Sequence, residues 1–105
     1  MKKDLLKIIE HYGVMKQLKY FQSEVFELNE AIIKAEQFHP KSMIQLNASV
    51  EDYINHIAEE IADVLVMLNQ FKEYYSISDE NIAETFQYKL DRQLERIKNE
   101  SNNNI

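Results

Sequence analysis

Apolar residues recur with a helical period along almost the whole chain, which predicts four helices. The pattern predicts them over about residues 3–12, 14–37, 49–75 and 79–98. Gly13 is the stop signal between the first two, because glycine commonly ends a helix. Ser49, with an acid soon after it, predicts the start of the third helix. The segment 76–80 supplies a break, a serine cap and acids for the first turn of the fourth helix.

The apolar stripes of these helices are longer than one small bundle can cover. We expect the core stripe of the second helix to consist of Val14, Leu18, Phe21, Val25, Leu28 and Ile32. A mixed stripe beside it carries Gln17, Tyr20, Glu24, Glu27 and Ala31. The fourth helix presents Ile82, Phe86, Leu90, Leu94 and Ile97. Because the third helix is apolar on its far side as well, at Val66, we expect a homodimer or a dimer of dimers with that helix in the interface.

Composition narrows the class to an all-α protein of one domain. The chain has 105 residues, 45% of them hydrophobic, with one glycine, one proline and no cysteine. We expect a helical domain over residues 1–98 and a flexible, asparagine-rich tail over 99–105. The net charge of −6 argues against general binding to nucleic acid or to anionic membranes. The absence of cysteine and of a long apolar span leads us to expect a cytoplasmic protein.

Two acidic pairs lie inside strongly apolar helical segments, and they are the main candidate for chemistry. Glu24 and Glu27 are three residues apart on the second helix, as are Glu60 and Asp63 on the third. Residues at this spacing are neighbours on one helix face, so each pair can present hard oxygen ligands to one cation. The run after Asp63 is apolar on all sides, so we expect Asp63 to be buried. A buried carboxylate needs a cation or hydrogen bonds to compensate its charge. The bland alternative is an acid that caps a turn or pairs with lysine.

A basic flank on the fourth helix accompanies the acids. Lys89 and Arg92 lie three residues apart beside its apolar stripe, and Arg96 continues the same flank. Such residues could clamp phosphate oxygens beside a cation held by carboxylates. They could equally form only a solvated, charged face.

The ordered set of motifs resembles the MazG-like, all-alpha nucleoside triphosphate pyrophosphohydrolases. The resemblance runs from about Tyr12 to Ile97 and rests on four motifs in sequence order. These are Gly13-x-x-x-Gln17-Leu18, Glu24-x-x-Glu27-Leu28-x-x-Ala31-Ile32, Glu60-x-x-Asp63-Val64-Leu65 and Lys89-x-x-Arg92. The resemblance implies a four-helix MazG-like bundle that is completed by self-association. It also implies hydrolysis of a nucleoside triphosphate to the monophosphate and pyrophosphate.

The same resemblance assigns roles to individual residues. It implies that magnesium is held by Glu24, Glu27, Glu60 and Asp63, and that Lys89 and Arg92 face the phosphates. Gln17 and Tyr20 become candidates for nucleotide contacts. The chain departs from the family at Ser23, where a further acid is often found, and in a longer connector over residues 38–48. The base and the sugar of the substrate are therefore left open.

The chemistry leaves other choices open as well. One of the ligand acids, or Glu59 or Glu60 acting through a water, could serve as general base. A di-iron bundle is disfavoured, because Glu36-x-x-His39 is the only pair with the required spacing and Pro40 follows it directly. An alternative from a different functional class is a non-enzymatic helical module for oligomerisation or interaction. It explains the apolar stripes but not the burial expected of Asp63.

Overall fold

The computed structural model describes residues 1–38 and 48–103, and every element in them is an α-helix. The four helices are α1 (Lys2–Tyr12), α2 (Val14–Phe38), α3 (Ala48–Tyr74) and α4 (Asp79–Asn103). The all-α, four-helix prediction is confirmed, with starts and most ends within one residue of expectation. The expected 38–48 connector falls almost entirely on residues 39–47, which lie outside the described residues.

Two of the three predicted helix junctions are present, whereas α3 begins at Ala48, one residue before its predicted cap Ser49. Gly13 has a φ of 88° and its N–H donates to the carbonyl of Ile9 at 2.8 Å, which ends α1. Glycine suits this junction because a residue with a Cβ would be strained at this positive φ. Before α4, the hydroxyl of Ser78 accepts the backbone N–H of Asn81 at 3.0 Å, a serine cap as expected.

The expected tail is largely helical. We predicted that α4 would end near Lys98, but the helix continues to Asn103. No glycine or proline follows Lys98, so the backbone hydrogen-bond ladder can continue through residues of modest helix propensity. Residues 104–105 lie outside the described part of the chain.

The chain divides into two compact units, Met1–Tyr74 and Tyr75–Ile105. In the first unit α2 and α3 run antiparallel, because Gln17 pairs with Gln70 while Glu24 lies against the earlier Glu60. The rings of Phe21 and Phe71 meet edge to face at 5.7 Å on the same helix pair. The buried apolar residues of this unit are Ile9, Ala31, Ala35, Val50 and Met67.

The inward face of α2 differs from the predicted one. We expected the apolar stripe to form the core, yet Leu18, Val25 and Ile32 are all exposed. Of the mixed stripe, Gln17, Glu24 and Ala31 are buried, as is Ala35 one turn further on, whereas Tyr20 and Glu27 are exposed. The two alanines leave room for close helix packing, and the Gln17–Gln70 hydrogen bond satisfies a polar pair inside it. The apolar stripe of α2 is therefore divided. Val14, Phe21 and Leu28 are half-buried, while Leu18, Val25 and Ile32 lie on the surface of this unit.

Other apolar surfaces are exposed as well. On α3, the side chains of Ile61, Leu65 and Leu68 follow a helical spacing, and Leu65 is 50% exposed. A shallow apolar groove of about 430 Å³ follows the exposed side of α2. In the second unit no residue of α4 is buried, and the exposed residues include Ile82, Phe86, Leu90, Leu94 and Ile97. Among the described helices, none combines the length and apolarity needed to span a membrane.

These exposed stripes generate a prediction about assembly. Light scattering after gel filtration should report a homodimer or a dimer of dimers at micromolar concentration, because association removes the α3 and α2 stripes from water. Leu65→Glu should shift the mass towards the monomer, since a charge would be buried in the contact. Asn55→Glu, which adds the same charge at an exposed position of α3, serves as control. A compact monomer for the unaltered chain would show that the stripes do not self-associate.

Candidate metal centre

The packing of α2 on α3 brings three carboxylates together. Glu24, Glu60 and Asp63 each offer one oxygen, and these oxygens lie within 4.8 Å of one another. The antiparallel register explains the convergence. Gln17 lies seven residues before Glu24, and Gln70 lies seven residues after Asp63. Seven residues are two helical turns, so the glutamine pair and the acidic cluster share one helix–helix seam.

Two of the three acids are buried without adequate partners. The residues Glu24 and Glu60 are 7% and 8% exposed. Within the part of the chain that the structure describes, the Oε2 atom of each is buried and accepts no hydrogen bond. Orphaned carboxylate oxygens are rare inside proteins, because a buried charge without a partner is destabilising. A metal ion held by these acids would supply the missing partner.

Asp63 does not occupy the buried position we predicted. It is exposed, as are Leu65, Val66 and Leu68 in the apolar run that follows it. The all-round apolar pattern predicts burial, but within the first unit α3 packs against α1 and α2 and leaves these residues on the surface. Asp63 therefore forms the solvent side of the cluster, while Glu24 and Glu60 form its buried side.

The electrostatics of the cluster follow from this arrangement. Burial, and then the negative charges of Glu27, Asp63 and Glu60, raise the pKa of Glu24 above its ordinary value. Burial, and then the charges of Glu27 and Asp63, likewise raise the pKa of Glu60. Glu27 is exposed and is not among the three converging oxygens, so its described influence on the cluster is through its charge.

Two neighbours partly offset the repulsion. Tyr20 hydrogen-bonds to the Glu24 carboxylate, which lowers the pKa of that acid, while the charge of Glu24 raises the pKa of the phenol. The imidazole Nε2 of His56 lies 4.0 Å from an oxygen of Glu60, and its Nδ1 lies 4.0 Å from an oxygen of Glu59. The histidine lowers the pKa of Glu60. Neither contact gives the buried Oε2 atom of Glu24 or of Glu60 a hydrogen-bond partner.

A cavity of about 400 Å³ lies beside the cluster in the same unit. Its lining residues are Ile8, Tyr12, Lys16, Gln17, Tyr20, Val66, Met67 and Gln70. Gln17, predicted as a nucleotide contact, is buried and donates through Nε2 to Gln70 Oε1 at 2.8 Å. The sequence prediction missed Gln70. Its signal was present, because an antiparallel hairpin that aligns Glu24 with Asp63 also aligns the glutamines seven residues beyond each.

The predicted phosphate-facing residues lie in the second unit. Lys89 and Arg92 line a small cavity of about 140 Å³ on α4 together with Gln93 and Arg96. The helical spacing therefore gathers three cationic side chains on one flank, as predicted. Arg96, which we had placed on this flank without a role, belongs to the same surface.

The cluster fits a divalent cation by its donors and its dimensions. Carboxylate oxygens are the preferred ligands of magnesium and calcium, at roughly 2.1 and 2.3–2.6 Å. Opposite ligands of one cation are therefore roughly 4 to 5 Å apart, and the three oxygens lie within 4.8 Å of one another, close enough to contact one ion. The cluster could therefore hold a metal ion, and its geometry does not select magnesium over calcium.

Comparison with known proteins gives no match: no family profile, no curated protein and no solved structure is significantly similar to this chain. What the cluster can bind therefore follows from its own residues and their geometry.

The raised pKa values of Glu24 and Glu60 predict how stability depends on pH without metal. The folded state holds these protons more tightly than the unfolded chain, so the free energy of unfolding falls as pH rises through the raised pKa values. In chelator, Tm should therefore be higher at about pH 5 than at higher pH, above the raised pKa values. Glu24→Gln should raise Tm at the higher pH and reduce the difference, whereas Glu10→Gln, on an exposed residue of α1, should not. A Tm that rises with pH in both variants would contradict this origin.

The variant Asp63→Asn tests whether Asp63 is a metal ligand or an acid with a structural role. No described hydrogen bond or ion pair holds Asp63, so its neutralisation should leave Tm in chelator level or higher by relieving repulsion. Excess magnesium should stabilise the unaltered protein by about 2.7 kcal/mol at a hundred times Kd, and should stabilise the variant far less. Melting curves in chelator and in magnesium measure both effects. A loss of roughly 1 to 3 kcal/mol in chelator would instead identify a broken structural interaction.

Proposed function

We propose that the protein is a magnesium-dependent nucleoside triphosphate pyrophosphohydrolase of the MazG-like kind. The observation that carries the proposal is the pair of orphaned, buried carboxylate oxygens on Glu24 and Glu60, which converge with Asp63 on facing helices. A protein gains nothing in stability from such a cluster unless it binds a cation. The motif order of the sequence supplies the reaction class, since the resemblance implies release of pyrophosphate.

The protein residues divide the work of the proposed reaction. Glu24, Glu60 and Asp63 hold the cation, and Glu27 adds negative charge that strengthens its binding. When bound, the cation supplies charge to the phosphates and lowers the pKa of a coordinated water. Tyr20 orients the Glu24 carboxylate through its hydrogen bond. Lys89 and Arg92 are proposed to bind phosphate oxygens, because phosphoryl transfer depends mainly on positioning and on neutralised charge.

The general base of the proposed reaction belongs to the acidic cluster or lies beside it. Burial and like charges raise the pKa of Glu60 above its ordinary value, which favours its taking a proton from water. Glu59 is the alternative, since it lies next to Glu60 in sequence and shares the His56 contact. His56 would then orient whichever acid accepts the proton.

A helical interaction module is the second candidate, and the exposed apolar stripes of α2, α3 and α4 favour it. In that case the protein would assemble without hydrolysing nucleotides. The two functions are compatible in one molecule, so assembly alone does not decide between them.

The decisive experiment is release of pyrophosphate from a panel of ribo- and deoxyribonucleoside triphosphates, with magnesium and with chelator. Turnover should require the metal. Glu60→Gln should reduce turnover by at least about a hundredfold, because loss of a residue that only supports a metal ligand already costs up to about a hundredfold. Glu100→Gln, an exposed acid near the end of α4, is the matched control. If no triphosphate yields pyrophosphate in magnesium, the proposed activity is wrong.

The basic flank has its own test. Lys89→Ala and Arg92→Ala should each lower kcat/KM by about tenfold or more, since a hydrogen bond to a charged group is worth about 1.5–3 kcal/mol. Magnesium affinity, measured by calorimetry, should change little, because neither residue is a metal ligand. Lys98→Ala removes a cation outside the cavity of this flank and serves as control. Normal kcat/KM in both test variants would show that the basic flank is only a solvated, charged face.

A further inference from the structure

His56 lies between two carboxylates beside the acidic cluster. It precedes Glu59 by three residues and Glu60 by four on α3, so the three side chains share one face of the helix. Nε2 of His56 lies 4.0 Å from Oε1 of Glu60, and Nδ1 lies 4.0 Å from Oε2 of Glu59. Each ring nitrogen therefore faces a carboxylate oxygen.

The separation of His56 from Glu60 suits two ligands of one ion. A hydrogen bond would require about 2.7–3.2 Å between the nitrogen and the oxygen. Zinc binds imidazole nitrogen and carboxylate oxygen at about 2.0–2.2 Å, so two of its ligands lie between roughly 3.0 and 4.2 Å apart, according to the angle between them. The observed 4.0 Å is at the wide end of that range. The His56 side chain is 52% exposed, so a small rotation can narrow the separation.

Glu60 also brings a buried oxygen that lacks a partner. The residue is 8% exposed, and within the described part of the chain its Oε2 atom accepts no hydrogen bond. One Glu60 oxygen converges with Glu24 and Asp63, so this carboxylate adjoins both the acidic cluster and the imidazole. A carboxylate has two oxygens and can contact two neighbouring ions. His56 is not among the converging donors, so an ion bound to it would be a second one.

The other ring nitrogen has the kind of support that metal-binding histidines commonly have. Such a histidine usually donates its second ring N–H to a carboxylate, which fixes the tautomer and the direction of the ring. Nδ1 of His56 faces Glu59 in this way, on the opposite side of the ring from Glu60. An imidazole ligand also selects between ions, because zinc binds nitrogen readily whereas magnesium prefers oxygen.

We propose that His56 and Glu60 form a zinc site beside the acidic cluster, with Nε2 and Oε1 as ligands and Glu59 as the acceptor of the Nδ1–H hydrogen bond. Water completes the coordination of the ion. Glu60 is shared with the cation proposed for the three clustered acids. Zinc binding here requires no nucleotide, so the site goes beyond the proposed hydrolysis and does not depend on it.

Zinc titration in excess magnesium tests the site directly, because magnesium then supplies the acidic cluster with a cation. The chain has three histidines and no cysteine, so labelled histidine nitrogens give few NMR signals and no thiolate competes for zinc. Calorimetry should report one zinc ion per chain, and the Nε2 signal of His56 should shift saturably. The signals of His11, an exposed histidine on α1, should not shift over the same range.

Variants assign the ligand and its support. His56→Gln should weaken zinc binding by at least about tenfold, or about 1.4 kcal/mol. Glu59→Gln should weaken it by about tenfold, the lower effect of removing the partner of a metal-binding histidine. His11→Gln and Glu10→Gln make the same substitutions at exposed positions of α1 and should leave zinc binding unchanged. Circular dichroism in chelator checks that each variant is folded.

Asp63→Asn distinguishes two ion sites from one. It removes an acid of the cluster but no proposed zinc ligand, so it should weaken magnesium binding and leave zinc binding nearly unchanged. If it abolishes zinc binding as fully as His56→Gln does, zinc enters the acidic cluster and the proposed zinc site is wrong.

Three further results would overturn the zinc site. They are unsaturable shifts of His56, equal shifts of His11, and an unchanged zinc affinity in His56→Gln. None of them bears on release of pyrophosphate, which is measured separately in magnesium. Failure of the zinc site and failure of the proposed hydrolysis are therefore distinguishable.

Discussion

In the first unit, the packing of α2 on α3 holds like charges close together, and the rest of the unit must offset their repulsion. Glu24 and Glu60 are held at one seam, largely out of water, with Asp63 at its open side. Repulsion between them would slide or separate the helices unless other contacts fixed the register. The Gln17–Gln70 hydrogen bond is one such contact, two turns away along the same seam. The edge-to-face pair of Phe21 and Phe71 is another, so the cluster is maintained by packing on one side of it.

This arrangement leaves the chain with two deficits that binding can remove. One is the group of clustered carboxylates inside the unit, whose charge a bound cation would neutralise. The other is the apolar surface outside it, because α2 turns a mixed face inward and leaves Leu18, Val25 and Ile32 on the surface. A chain of 105 residues has little core to spare. Its stability is therefore expected to depend on what it binds, and folding and function are linked through the same groups.

The sequence predicted the elements well and their orientation less well. Helix limits follow from local signals, so the junction at Gly13 and the cap at Ser78 were both predictable. The face that α2 turns inward was not, because two adjacent stripes compete and only tertiary packing decides between them. Asp63 illustrates the same limit, since an apolar run does not reveal whether this chain or another copy covers it. The position of Gln70 opposite Gln17 could have been predicted from the hairpin register. The extension of α4 to Asn103 could not, because no residue there marks where the helix stops.

Gly13 is where the chain turns from α1 into α2. It is the single residue between α1 and α2, and a Cβ placed on it would touch nothing within 4 Å, so the junction is open around it. The cavity walls at Ile8 and Tyr12 belong to α1, while the acids belong to the other two helices. Substitutions on α1 would therefore reshape the cavity without replacing any of the three clustered acids.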